Sequence, residues 1–330
     1  MENKLKKALI TGVAGMIGSH LLDELLKTKN YKVIGIDNLS FGKIENVGHN
    51  LNDPNFKFYQ VDVLDFETLK ILGKDMDLIV HLAAVKKIGE NQSSLPTLTV
   101  NNKGTKNILE IAKMWRSKVI FASTSDVYGM SEDLPHKEDG NLLIGPSMIK
   151  RWSYAVSKLY DEQLACAYYK DFGISVVILR YFGAFSSRSS FTWSGGHIPI
   201  FINAILKNKE IIIHGDGSQT RSMAFVDDVT RGTVLAMEKE KAIGEIINLG
   251  NNEEMSVLDC AKLIHKLSGV RGKLKPKFIP FEEIFGDYKD IMRRIPDLSK
   301  AKKILGYSPK YSIREAILET IEKVLPELKN

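Results

Sequence analysis

Five short apolar runs recur through the first half of this chain, KALITG, YKVIGID, FKFYQVDV, DLIVHLAA and KVIFASTS, with helical patterns between several of them. Short runs of this kind, rich in apolar residues, read as buried strands of a parallel sheet. The intervening stretch IGSHLLDELLKT sets Ile17, Leu21, Leu22 and Leu25 on one helical face, and NKGTKNILEIAKMW forms a second such helix. A later run, GISVVILRYFG, adds another strand. Strand–helix alternation of this regularity predicts an α/β protein with a doubly wound parallel sheet.

From about residue 181 the pattern loosens into Ser-, Gly- and Pro-rich loops, short strands (EIIIHG, EIINLG) and helices (VLDCAKLIHKL, IREAILETIEKVL). The expected organisation is a first domain over 1–180 and a smaller α/β lobe over 181–330. Segments around 221–250 are expected to return to the first domain. At 330 residues the chain can bury cores for two lobes.

Composition narrows the function classes. The chain is 44% apolar and 26% charged, and no apolar run approaches the ~18 residues of a membrane span. Lysines and apolar residues at the N-terminus imitate a secretory signal, but glycines interrupt the run and no small-residue cleavage site follows. Cys166 and Cys260 stand far apart, as reduced core residues of a cytoplasmic protein would, and supply neither a disulfide framework nor a metal cluster. The formal charge of +6 concentrates its densest basic stretches in the last quarter. Solvated faces explain most of those lysines, with a general field attracting phosphorylated small molecules as a second reading. Aromatic residues are not interleaved with the charges, which argues against nucleic acid.

The turn after the first strand carries the first chemical signal. ALITGVAGMIGSHLL places Gly12, Gly15 and Gly18, with Met16 and Ile17 between them, where a strand gives way to a helix. Glycines there admit a pyrophosphate to the backbone, and the N–H groups of the helix start stabilise it. The spacing is GxxGxxG. At the end of the second strand stand Asp37 and Asn38. A carboxylate at position 37 accepts hydrogen bonds from adenosine ribose hydroxyls and repels a 2′-phosphate, so a Rossmann-type domain binding NAD rather than NADP is expected.

Taken in order, GxxGxxG, DN after the second strand, VDV after the third, HLAA after the fourth, NNKGT, STSDVYG and a YxxxK pair resemble one family. It is the extended short-chain dehydrogenase/reductase superfamily, in its NAD-dependent nucleotide-sugar epimerase, dehydratase and decarboxylase branch, and the resemblance runs down to RRIPDLSKAKKILGY. It implies that Asp62 and Val63 lie at the adenine, that Leu82, Ala83 and Ala84 run along the cofactor, and that Asn101 supports the active-site strand. It also matches Lys86 to a lysine near cofactor and substrate in UDP-galactose 4-epimerase, although a solvated lysine fits the spacing equally well.

Tyr154 and Lys158, at i and i+4, share a helical face. A tyrosine base working near neutrality must lower its pKa by about 3 units, roughly 4 kcal/mol. The Lys158 ammonium and an oxidised nicotinamide are expected to do this. Tyr154 then takes a sugar hydroxyl proton while Lys158 also holds the nicotinamide ribose. The resemblance assigns Thr124 to the reacting sugar oxygen and makes Ser125-Asp126 informative. Dehydratases of this branch carry Asp-Glu there, and decarboxylases acting on UDP-glucuronate carry Ser-Glu. Ser125 also fits an ordinary Ser/Thr-rich turn.

At the substrate end, the resemblance matches Arg221 and Arg294 to arginines that grip the diphosphate. Tyr181 suits packing near the nicotinamide. Gly183 stands in RYFGAFSSR where relatives have an asparagine that contacts substrate, and this altered loop, followed by SSFTWSGGHIP, implies an unusual or bulkier sugar. The reading is therefore an NAD-dependent enzyme that oxidises C4 of a nucleotide-diphosphate sugar, a 4-epimerase first. Net C4 dehydrogenase, decarboxylase and dehydratase are the alternatives within the class, and a non-enzymatic NAD-sensing regulator is the alternative outside it. No metal is expected. The helices NKGTKNILEIAKMW and YAVSKLYDEQLACAYYK resemble the pair that forms a four-helix bundle between subunits, implying a homodimer.

Overall fold

The structure is a computed structural model that describes residues 5–86, 93–192, 196–281, 283 and 291–327. Its first half runs β1 (Lys6–Thr11), α1 (Met16–Thr28), β2 (Tyr31–Asp37), α2 (Glu45–Gly48), β3 (Phe56–Gln60), α3 (Phe66–Leu72), β4 (Leu78–His81), α4 (Leu95–Trp115), β5 (Lys118–Thr124), α5 (Ser153–Phe172) and β6 (Val176–Tyr181). The second half contributes β7 (Ala184–Phe185), α6 (His197–Leu206), β8 (Ile211–His214), β9 (Thr220–Ser222), β10 (Ala224–Phe225), α7 (Val226–Glu238), β11 (Ile246–Leu249) and β12 (Glu254–Ser256). It ends with α8 (Val257–Ser268), β13 (Pro276–Ile279), α9 (Ser299–Leu305) and α10 (Ile313–Glu327).

Seven strands form the central sheet in the order β11-β6-β5-β4-β1-β2-β3, all pairing parallel. The order reverses between β1 and β4, which places a crevice at the carboxyl ends of these strands, where open α/β sheets bind ligands. Strand β11 comes from the chain beyond residue 181 and pairs with β6, Ile246 beside Ile178 through Leu249 beside Tyr181.

Helices cover both faces because the strands are apolar on both. On one face, Leu21, Leu22 and Leu25 of α1 and Val229 and Ala236 of α7 pack onto Ala8, Ile10 and Val33. On the other, Ile108, Leu109 and Ala112 of α4 and Ala165 and Tyr168 of α5 pack onto Leu9, Ile79 and Phe121. A separate core in the second lobe joins Phe185, Phe201, Ile211, Ile264 and Ile317. Cys166 and Cys260 are free thiols, the latter buried. Among the described residues no helix is long and apolar enough to cross a membrane, and no cluster of His, Cys, Asp and Glu could hold a metal ion.

Candidate active site

The groove at the reversal point is lined by Gly12, Gly15, Asp37, Asn38, Val63 and Leu82, among others, with Ala83 and Ala84 continuing its wall. Its floor is a place where side chains do not fit. Gly12 has φ +70, and a β-carbon there would meet the Ala83 nitrogen at 2.9 Å. A β-carbon on Gly18 would sit 2.2 Å from the Gly12 carbonyl oxygen. These glycines let α1 start directly against β1. Met16 and Ile17 turn the other way and pack against the second lobe's core.

Asp37 ends β2 with a buried carboxylate that accepts from the Ala14 N–H (3.0 Å) and the Leu39 N–H (2.8 Å). Burial raises its pKa, and those two N–H groups pull it back. Asn38 donates to Asp62 Oδ2 at 2.8 Å, and the other Asp62 oxygen accepts from Leu64 N–H, fixing the loop after β3 beside the groove. The donor set fits a dinucleotide: a glycine cradle at a helix start for pyrophosphate and a fixed carboxylate for ribose hydroxyls.

The groove's rear wall is a chain of buried polar contacts. Thr11 Oγ1 lies 2.7 Å from His81 Nδ1 and accepts from the Ala83 N–H. Burial, with Lys158 adding to it, lowers the His81 pKa to about 3, so the ring is neutral. The Asn101 amide clamps Val85 from both sides, accepting from its N–H (2.7 Å) and donating to its carbonyl (3.1 Å), and also donates to Ser157. One buried asparagine thereby ties the loop after β4 to α5, the helix of Tyr154. The segment that continues past Lys86, over 87–92, lies outside the described residues, as do 193–195 of the SSFTWSGGHIP stretch.

At the carboxyl end of β5, Thr124 Oγ1 accepts from the Asp126 N–H as the chain enters a 3₁₀ turn over Ser125–Tyr128. Ser125 is buried in that turn. Asp126, 3% exposed, is held by Arg294 Nη1 at 2.6 Å and Arg151 Nη2 at 3.1 Å, with Lys86 Nζ 4.0 Å from its other oxygen. Burial alone would raise its pKa, but Arg294, Arg151 and Lys86, in that order, hold it well below the ordinary value. Lys86 also lies 5.6 Å from the centre of the Tyr154 ring. Three cations thus face the Asp126 carboxylate. Two further nitrogens of Arg294, Nε and Nη2, are buried without a hydrogen-bond partner.

The structure revises the expected electrostatics of Tyr154. Lys158 is 1% exposed, and its ammonium donates to the Ala122 carbonyl at 2.9 Å with the Phe121 ring 4.7 Å away. Burial raises the Tyr154 pKa, Asp126 and Asp161 raise it further, and a hydrogen bond with Thr124 pulls it down. The protein alone therefore keeps the phenol protonated, because burial disfavours the phenolate and the two carboxylates add to that effect.

Other expected residues fall as follows. Arg294, assigned to the diphosphate, lies on Asp126, drawn there by a buried carboxylate. Arg221 Nη1 donates to the Thr220 carbonyl on β9. Tyr181 stands beside Thr124 in register, with its hydroxyl 2.8 Å from Thr233 Oγ1. Gly183 has φ +42, and Met223 sulfur lies 2.5 Å from where its β-carbon would be, so the position is a tight turn under Met223 and holds no side chain toward a ligand. Sequence reasoning missed Arg151, whose signal was its place three residues before Tyr154, and Asp161, whose signal was its i+3 spacing from Lys158.

Comparison with known proteins agrees with this geometry. The family model for GDP-mannose 4,6 dehydratase matches residues 9–320. A UDP-N-acetyl-alpha-D-glucosaminuronate decarboxylase of Bacillus cytotoxicus is 37% identical over 96% of this chain and 97% of its own. The crystal structure of UDP-glucuronic acid 4-epimerase from Bacillus cereus, in complex with UDP-glucuronic acid and NAD, superimposes with a TM-score of 0.87 at 34% identity, covering 98% of this chain and 99% of that one. UDP-glucose 4-epimerase of Thermotoga maritima gives 0.86 at 29% identity, covering 98% and 100%. The chain belongs to the GDP-mannose 4,6 dehydratase family. It is an NAD-dependent nucleotide-sugar enzyme of the extended short-chain dehydrogenase/reductase type.

Proposed function

We propose that this enzyme oxidises C4 of a nucleotide-diphosphate sugar carrying a carboxylate, and reduces the 4-keto sugar again on its other face, as a 4-epimerase. The observation that carries the reading is the cation cluster of Arg294, Arg151 and Lys86 beside Thr124 and Tyr154. The two Arg294 nitrogens left without a hydrogen-bond partner are suited to a second anion. The uronate substrates named for the relatives above fit this chemistry.

NAD, when bound, supplies the hydride acceptor at C4 and a positive charge near the phenol. Gly12, Gly15, Gly18 and Asp37 would hold it, and Lys158 would reach its nicotinamide ribose. Tyr154 takes the proton of the C4 hydroxyl and returns it after the sugar has turned over, while Thr124 hydrogen-bonds the same oxygen. A 4-keto uronate is a β-keto acid and loses carbon dioxide when its carboxylate is freed to become neutral. Cations that grip that carboxylate oppose the loss, which favours epimerisation. Decarboxylation is the second reading, supported by the Ser125-Asp126 pair and by the decarboxylase relative.

Purified enzyme incubated with a panel of nucleotide sugars and uronates decides between them by product mass. Unchanged mass with an inverted C4 supports epimerisation, and loss of carbon dioxide replaces it with decarboxylation. Tyr154→Phe should bind NAD normally and lose 10²–10⁴-fold or more in hydride transfer in a single turnover. A variant that reduces NAD as fast as wild type would sink the assignment of Tyr154.

The same reading includes a homodimer. Helix α5 exposes Val156 (43%), Tyr160 (52%) and Phe172 (44%), and α4 exposes Met114 (45%). Apolar and aromatic side chains spread along two packed helices suit a four-helix interface about a two-fold axis.

A further inference from the structure

Lys158 has a burial problem. A fully enclosed ammonium loses its proton readily unless a counter-charge is near. Its direct partners here are a neutral carbonyl and the Phe121 ring. Two buried carboxylates follow it on α5, and one of them is already committed. Glu162 receives Arg180 through both oxygens, at 2.9 and 2.8 Å, and the Ser123 hydroxyl as well. Asp161 is different. It is 0% exposed, and neither of its oxygens has a hydrogen-bond partner of ordinary geometry. It stands three residues after Lys158 and seven after Tyr154, on the helical face that carries both.

We propose that Asp161 is a positioning residue that keeps Lys158 charged beneath Tyr154, acting through its unneutralised carboxylate. The inference rests on the reading of Tyr154 and Lys158 as base and cation.

The groups facing Asp161 can be named from each side. Lys158, Glu162 and Tyr154 share its helix. Thr105 comes from α4, and its hydroxyl draws the Asp161 pKa down while contacting His81 of β4 at 3.3 Å. His81 is neutral, and Arg180 of β6 is spent on Glu162. Lys158 is thus the one cation among these groups whose charge is not taken up by another carboxylate. Burial raises the Asp161 pKa to about 6, with Lys158 and Thr105 opposing, so the carboxylate is ionised at neutral pH despite its enclosure. Asp161 in turn raises the pKa of Lys158 against burial and that of Tyr154 along with burial.

One negative charge acting on both groups makes a signed prediction. Neutralising it lets Lys158 lose its proton at lower pH and lets Tyr154 ionise at lower pH. Both limbs of the pH–rate profile therefore move to the acid side together, by about one unit for a charge one to two helical turns away in a buried site. A residue that only packed would lower the rate at every pH and leave the limbs in place.

The test uses full-length Asp161→Asn and Asp161→Glu. The first measurement needs no substrate: a ¹³Cε NMR titration of lysine-labelled protein, with the Lys158 signal assigned by its loss in Lys158→Met. The Lys158 midpoint should fall by about one unit in Asp161→Asn and stay near wild type in Asp161→Glu. The second is the pH profile of hydride transfer, which should shift acidward in Asp161→Asn alone. If circular dichroism shows Asp161→Asn unfolded, the smaller neutral Asp161→Ser carries the same titration. An unmoved Lys158 midpoint in a folded neutral variant overturns the proposal. An inert wild type across all nucleotide sugars would instead overturn the reading of the site, while the titration still judged Asp161.

Discussion

Arg294 Nη1 lies 2.6 Å from Asp126 Oδ1, a contact that joins residues 168 apart in the chain. It brings the last quarter of the sequence to the end of β5 and makes the reacting end of the site depend on both lobes. Arg294→Met should raise KM for a uronate substrate by roughly 10–100-fold, the worth of a charge-assisted hydrogen bond, with a smaller effect on a neutral hexose. Steady-state kinetics with a matched pair of sugars reads this. The same variant should lose less stability than wild type as the solution is acidified. The Asp126 pKa is depressed in the folded protein, so its contribution to stability is complete above the unfolded value near ~4 and is lost as pH falls below it. Without Arg294 that contribution shrinks, and the stability gap from wild type should narrow below about pH 4 in acid-unfolding curves.

Asp37 predicts cofactor choice. Wild type should bind NAD well and NADP poorly by calorimetry. Asp37→Ala should weaken NAD by roughly 10–100-fold and shrink the preference, since a buried carboxylate that meets ribose hydroxyls is removed. Equal binding of both cofactors by wild type would remove the role assigned to Asp37.

The exposed face of α5 predicts assembly. Val156→Asp with Tyr160→Glu places charges where an apolar interface is proposed, and light scattering at micromolar concentration should show dimers becoming monomers. A wild-type monomer under the same conditions would refute the interface outright.

Asp161 carries a stability cost with a defined pH window. Its folded pKa is about 6, above the ordinary carboxylate value, so ionising it opposes folding. The cost is full above pH 6 and vanishes below about pH 4, amounting to roughly 3 kcal/mol at most. Asp161→Asn escapes it. Thermal melts of wild type relative to the variant should therefore improve as pH falls from 7 to 5, and a gap independent of pH would contradict this.

Strands β1 to β6 were legible because each is a short run rich in apolar residues, and the glycine turn was legible because its spacing sits between a strand and an amphipathic helix. The alignment of Thr124 and the helical spacing of Tyr154 and Lys158 were likewise readable, being local. What was not readable depends on distance in the fold. Nothing near Arg294 in the sequence announces Asp126, and nothing around Gly183 announces that Met223 covers it. The electrostatics of Tyr154 were misjudged for a related reason. Spacing along a helix names Lys158 as a neighbour but does not reveal that its ammonium is turned to the Ala122 carbonyl, or that the phenol is buried with two carboxylates acting on it.

The pairing of β11 with β6 bears on how the chain is made. While the ribosome is still adding residues before Ile246, the first domain already holds its glycine cradle, Asp37 and Tyr154, yet one edge of its sheet remains open along Val176–Tyr181. That edge is apolar and fully buried in the finished protein, so the nascent first domain exposes a template for pairing with another chain. Closure waits for a strand made some seventy residues later. Expression of the first 180 residues alone should thus yield a chain that aggregates rather than a small NAD-binding protein.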